Sequence, residues 1–192
     1  MIRTLAVAAA VSALAIPATA AAASDQALDA FQSICWGTSG DYLAVLKAAS
    51  SAGWTDTAVT GGDDEGVSIT DKTAKEKAAD GGGSLTLLVS RGLRRLTNPT
   101  TKALTEVKVT TCKVSYSKPD SGLIAAAQSW IGAPPDGGEP TLAVYYVALG
   151  AGKPSDVGKA GVNTAVFGGG LSILKFQQDS DSTILVDQSY SK

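Results

Sequence analysis

The sequence predicts an α+β fold: a mostly antiparallel sheet of about five or six strands, with an N-terminal helical hairpin and one later helix packed on it. Helical periodicity is found in residues 24–54 and 119–131, whereas strand-like runs fill most of residues 84–117 and 141–190. Helices and strands therefore do not alternate one for one, and hairpin-length links join the strands. This order favours antiparallel pairing with the helices on one face of the sheet.

The N-terminus has the pattern of a secretory signal peptide, which we assign to residues 1–23. A basic start precedes an alanine-rich apolar run at residues 5–16. Small residues follow, and cleavage after Ala20, Ala22 or Ala23 satisfies the A-x-A rule. The apolar run is shorter than the ~20 residues of a membrane-spanning helix, which argues against a retained anchor. We therefore expect a periplasmic or secreted protein with no membrane insertion after cleavage.

The remaining residues, 24–192, are predicted to form a single α+β domain, because this length is ordinary for one domain with a sizeable core. The formal net charge of the chain is −2. A weakly acidic chain lacks the basic surface that general nucleic-acid or anionic-membrane binding requires. We therefore expect no nucleic-acid partner.

The predicted helical hairpin occupies residues 24–54. Phe31 and Cys35 fall on one apolar face of its first helix, and a Trp-Gly-Thr-Ser-Gly break separates the two helices. Gly53 suits the left-handed position after the second helix, which lets Trp54 fold back on the last turn. The alternative is that Trp54 serves as a binding platform.

Cys35 and Cys112 are the two cysteines of the chain, and we predict that they form a structural disulfide. Two cysteines in an exported chain most often pair. Closing a loop of this length would stabilise the fold by roughly 4 kcal/mol in the chain-entropy model. A redox-active pair is the alternative, but the C-x-x-C spacing typical of such pairs is absent.

The clearer predicted strands follow an indistinct region at residues 55–83. In this region residues 67–70 suggest a short strand, and the charged, alanine-rich run at residues 71–80 suggests one or two helical turns. Turn residues separate the later elements and set their bounds. In order, these elements are strands at 84–94 and 103–117, a helix at 119–131, a strand at 141–149, a glycine-bearing loop at 150–163, and a hairpin of strands at 171–177 and 183–190.

The strand at 103–117 changes phase along its length. Val107 and Val109 have one parity, whereas Cys112 and Val114 have the other. A regular strand cannot place both sets on one face, because side chains alternate with period two. Either the strand is buried on both sides or a bulge near Thr110-Thr111 resets its phase, and we favour the bulge.

The chain has no histidine, which excludes the arrangements that depend on it. These are Ser-His-Asp and Cys-His nucleophiles and His-ligated zinc sites. A serine–lysine pair remains, and the run from Ser115 to Lys118 supplies the residue types, although ordinary surface is the simpler interpretation. The run from Gly150 to Pro154 fails as a phosphate loop, because Val147 and Pro154 stand where the pattern needs Gly and Ser or Thr.

Two acidic clusters and one basic cluster are candidate sites. Neither acidic cluster has the spacing of a calcium loop, and the aromatic residues that line a glycosidase cleft are few. Solvated turns are therefore the simpler interpretation of the carboxylates. The arginines fit either an anion contact or the polar face of an outer strand. The clusters are Asp63, Asp64 and Glu65; Asp179, Asp181 and Asp187; and Arg91, Arg94 and Arg95.

No residue is therefore assigned to catalysis, to a cofactor or to a metal. We interpret the chain as an exported, non-enzymatic binding or envelope-accessory protein that has no cofactor. The alternatives are a hydrolase that uses carboxylates or a Ser-Lys pair, and an exported inhibitor that presents the loop at 150–163.

Overall fold

The computed structural model describes residues 23–60, 66–150 and 152–192. The predicted signal peptide lies outside this part of the chain except for Ala23, and so do Asp63, Asp64 and Glu65. None of the described helices is long and apolar enough to cross a membrane.

Eight β-strands are present in the described residues. They are β1 (Thr55–Thr57), β2 (Ser68–Ala78), β3 (Ser84–Thr97), β4 (Leu104–Tyr116), β5 (Gly137–Glu139), β6 (Leu142–Ala148), β7 (Gly170–Gln178) and β8 (Thr183–Ser191). They form one antiparallel sheet in the order β1-β2-β3-β4-β8-β7-β6-β5. β4 and β8, which are distant in sequence, therefore lie side by side at its centre.

The predicted number of five or six strands is wrong, since the described sheet contains eight. Only the start of β2 was predicted, as a short strand at residues 67–70, whereas its alanine- and lysine-rich remainder suggested helical turns. β2 pairs with β3 along most of its length and buries Ala74 and Lys75, so tertiary pairing overrides a weak local preference. β1 and β5 are only three residues long, which is too short for alternation to reveal them.

Four α-helices accompany the sheet in the described residues: α1 (Ala23–Ala30), α2 (Tyr42–Ser51), α3 (Leu123–Ile131) and α4 (Gly158–Gly168). The predicted N-terminal helical hairpin with one later helix is wrong. α1 has only eight residues and continues as a π-helical turn, Phe31–Cys35, and a 3₁₀ turn, Trp36–Thr38. Ser39 and Gly40, both with positive φ, then redirect the chain into α2.

α4 begins inside the segment that the sequence predicted as a loop. Its Val162 and Val166, four residues apart, pack in an apolar cluster against the sheet. Burial of this face outweighs the poor helix propensity of Gly158 and Gly161, since helices in proteins gain most of their stability from packing.

The central strand β4 is buried on both sides. Cys112 and Val114 belong to the larger core, which α1, α2 and α3 cover and which defines the first face of the sheet. Val107 and Val109 belong to a smaller core with α4, on the second face. The register of β4 with β3 and β8 runs without a shift past Thr110, so the predicted bulge is wrong and the alternative holds.

Cys35 and Cys112 are joined by a disulfide, and their Cα atoms lie 5.5 Å apart. The bond links the π-helical turn after α1 to the centre of β4. Both cysteines are buried. The disulfide therefore holds the N-terminal helical layer on the first face, and it is of the kind found in proteins of oxidising compartments.

Replacing both cysteines by alanine is expected to lower the free energy of unfolding by about 4 kcal/mol, because the bond closes a long loop in the unfolded chain. Urea unfolding of Cys35→Ala/Cys112→Ala beside the oxidised parent protein measures this loss. A change of less than about 1 kcal/mol would contradict the role given to the bond.

Candidate ligand-binding site

Two of the three clustered arginines of β3 are paired with carboxylates. Arg91 donates from Nε to Asp71 Oδ2 at 2.6 Å, and its guanidinium carbon lies 4.8 Å from the centre of the Tyr42 ring. This hydrogen bond lowers the pKa of Asp71. Nε of Arg95 lies 3.5 Å from Glu106 Oε2. Both guanidinium groups are therefore accounted for within the fold.

Arg94 differs from its two neighbours. It points to the second face, and none of the described carboxylates forms an ion pair with it. Its Nη1 donates to Tyr190 Oη at 3.2 Å, and the Tyr190 hydroxyl donates to Gln188 Oε1 at 3.0 Å. This chain of hydrogen bonds fixes the guanidinium while leaving it most of its five N–H donors.

An apolar groove of about 240 Å³ lies between α4 and the C-terminal end of β3. α4 forms one wall, β3 forms the other, and β7 and β8 form the floor. Small-molecule sites commonly combine such an apolar lining with a few placed polar groups. The apolar lining residues are Leu96, Val162, Val166, Phe167, Leu171 and Ile173, and the polar ones are Arg94, Thr97, Asn163 and Tyr190.

The groove follows from the regular alternation of two strands. Leu171 and Ile173 of β7 point to the second face, and Leu171 pairs in register with Tyr190 of β8. The groove was not predicted from the sequence, because the segment that forms α4 was predicted to be a loop. The four-residue spacing of Val162 and Val166 is the signal that could have revealed this wall.

A separate polar cluster is enclosed on the first face. Asp187 is 1% exposed and pairs in register with Cys112. Its Oδ1 accepts a hydrogen bond from Ser189 Oγ at 2.9 Å, and the Ser189 and Ser172 hydroxyls lie 2.9 Å apart. Oδ2 has no hydrogen-bond partner among the described residues. Burial raises the pKa of Asp187 to about 6, against the opposing effect of the two serine hydroxyls.

The remaining members of the second acidic cluster do not converge on Asp187. Asp179 accepts hydrogen bonds from Gln177 and Ser182 within the turn between β7 and β8, and Asp181 is exposed in the same turn. Asp187 lies well along β8 instead. Among the described residues, no group of three His, Cys, Asp or Glu side chains could hold a metal ion.

The sequence-predicted serine–lysine run forms no nucleophilic pair. Lys118 donates to the carbonyl oxygen of Gly81 at 3.0 Å, and Ser117 Oγ accepts from the Ser84 amide. The segment after Gly150 is held against the sheet, because Asp156 forms a β-bridge with Val147.

Comparison with known protein families, with characterised proteins and with solved structures found no match for this chain.

We expect Asp187 to make the protein less stable as the pH rises. The folded carboxyl group has a pKa near 6 against an ordinary value of 3.8, so the folded state binds this proton more tightly than the unfolded state. Below pH 4 the protonated carboxyl group makes its whole contribution to the free energy of unfolding. This contribution is lost between pH 4 and 6, a change of about 3 kcal/mol. Urea unfolding at several pH values, compared between the parent protein and Asp187→Asn, isolates this contribution. Parallel pH profiles for the two proteins would contradict it.

Proposed function

We propose that this protein is an exported, non-enzymatic binding protein, and that its ligand is a small molecule with an anionic head and an apolar tail. The disulfide and the predicted signal peptide support export. The groove of about 240 Å³ is smaller than the sites of drug-sized ligands, so it suits a short chain or a small ring.

Arg94 is the observation that carries this proposal. A guanidinium beside an apolar groove attracts a carboxylate, which can accept two parallel N–H bonds from it. Arg91 and Arg95 already have Asp71 and Glu106, whereas Arg94 has no such partner among the described residues. The adjoining walls offer hydrocarbon surface and therefore favour an apolar tail.

The hydrolase alternative has less support. It would need two convergent carboxylates in a cleft or a lysine in contact with a serine. Asp187 is enclosed on the face opposite the groove, and the buried Lys75 pairs with Asp56 at 2.6 Å. The inhibitor alternative is weakened because Pro154 is buried and the segment from Gly158 is helical, so residues 150–163 do not project as one loop.

Octanoate is a suitable first probe, titrated into the mature protein with binding followed by backbone-amide NMR shifts. We expect saturable shifts around α4 and β3, and binding at least about tenfold weaker in Arg94→Gln, because hydrogen bonds to charged groups contribute about 1.5–3 kcal/mol. Arg95→Gln is the matched control: the same change on the same strand, at an exposed side chain paired with Glu106. It should bind octanoate like the parent protein.

Two results would refute the proposal. One is the absence of saturable octanoate binding to the parent protein. The other is equal affinity of the parent protein and Arg94→Gln for octanoate. Octanol tests the head group separately, because it keeps the tail and lacks the charge, and we expect it to bind more weakly than octanoate.

A further inference from the structure

A second pocket adjoins the apolar groove. This pocket, of about 340 Å³, lies between α4 and the β3–β4 connection. Asn163 and Phe167 line both cavities and therefore stand at their junction. Together the two cavities reach the size range of ordinary small-molecule sites.

We propose, on the basis of the function inferred above, that the ligand has two recognised ends: a carboxylate held by Arg94, and an uncharged hydroxyl group at the far end of its hydrocarbon chain. The second pocket receives that hydroxyl end. The ligand class is thus an extended hydroxy acid in which the hydroxyl lies remote from the carboxylate.

The lining of the second pocket selects a neutral polar group. It contains no charged side chain, so a second ionic group would have no partner there. Hydroxyl and amide groups line it instead, from both α4 and the β3–β4 connection. These lining residues are Asn98, Thr100, Thr101, Asn163 and Thr164, with Pro99, Phe167 and Gly168 completing the walls.

The connection side of this pocket is fixed before any ligand arrives. Asn98 Oδ1 accepts hydrogen bonds from the Thr100 and Thr101 amides at 2.9 and 3.0 Å. No hydrogen bond joins the side chains of Asn163 and Thr164 to other described residues, which leaves them available to a ligand hydroxyl. Because the turn is already fixed, a ligand that binds between it and α4 would order few further groups, and the entropic cost of binding would be small.

The distance between the two ends sets the length of the ligand. Arg94 and Leu96 lie on one face of β3, and Asn98 directly follows its last residue, Thr97; four residues of extended chain span about 13 Å. With C–C bonds of about 1.5 Å at angles near 111°, an extended hydrocarbon chain advances about 1.25 Å per bond, so about ten bonds separate the two ends. A chain of about ten carbons therefore matches the spacing, with Leu96 and Phe167 beside its middle.

The test compares decanoate with 10-hydroxydecanoate, both below their micelle-forming concentrations, by calorimetric titration of the mature protein. We expect the hydroxylated acid to bind about tenfold more tightly, as two hydrogen bonds of ordinary net strength would give. In the double variant Asn163→Leu/Thr164→Val the two acids should bind equally, because the ratio of their affinities reports the hydroxyl contact whatever the change in affinity for decanoate. Both positions are exposed on α4, and circular dichroism checks that the variant is folded.

The variant Arg94→Gln separates this inference from the function on which it rests. It should weaken both acids alike and keep the ratio between them. If the parent protein binds both acids with equal affinity, the two-ended site is refuted while the anion-binding groove stands. If it binds neither acid, the groove itself is refuted, and the two-ended site with it.

Discussion

The disulfide between Cys35 and Cys112 is a covalent cross-link between the N-terminal helical layer and the central strand of the sheet, and it adds to apolar contacts and to hydrogen bonds such as that between Tyr42 Oη and Thr73 Oγ1. The centre of β4 is covered on both faces. The N-terminal helices pack on the first face, and the smaller apolar core with α4 packs on the second. Anchoring the π-helical turn to this strand fixes the helical layer over the sheet. The same placement encloses Asp187, the register partner of Cys112, whose raised pKa reflects how completely water is excluded there.

Local sequence signals identified those parts of the fold that depend on local physics. The cap at Gly53 acts within a few positions of the helix that it ends, and Gly53 has the expected positive φ. β2 and α4 are different, because their states are set by distant partners. Lys75 of β2 is buried and forms an ion pair with Asp56 of β1. Val166 of α4 packs against strands that precede it in the chain and against strands that follow it.

The candidate site shows the same division. The sequence singled out Arg91, Arg94 and Arg95 but could not rank them, because the partners that distinguish them lie 11 to 20 positions away. Alternation along β3 places Arg94 on the face opposite Arg91 and Arg95, and these two are paired with Asp71 and Glu106. The groove beside Arg94 also required α4, which glycine-rich sequence concealed. A basic cluster in a strand thus becomes informative only once each member's neighbours are known.

The two outermost strands of the sheet have a further consequence for association between molecules. β3 and β4 are 14 and 13 residues long, yet the sheet ends on β1 and β5, each of three residues. β1 pairs only with Ala74, Lys75 and Glu76 of the 11-residue β2, so the rest of β2 is itself an edge, and its charged side chains disfavour pairing with a neighbouring chain there. At β5 the glycines Gly137 and Gly138 and the following Pro140 weaken the strand further. The two longest strands, β3 and β4, therefore lie inside the sheet, away from the edges at which pairing with a neighbouring chain would begin.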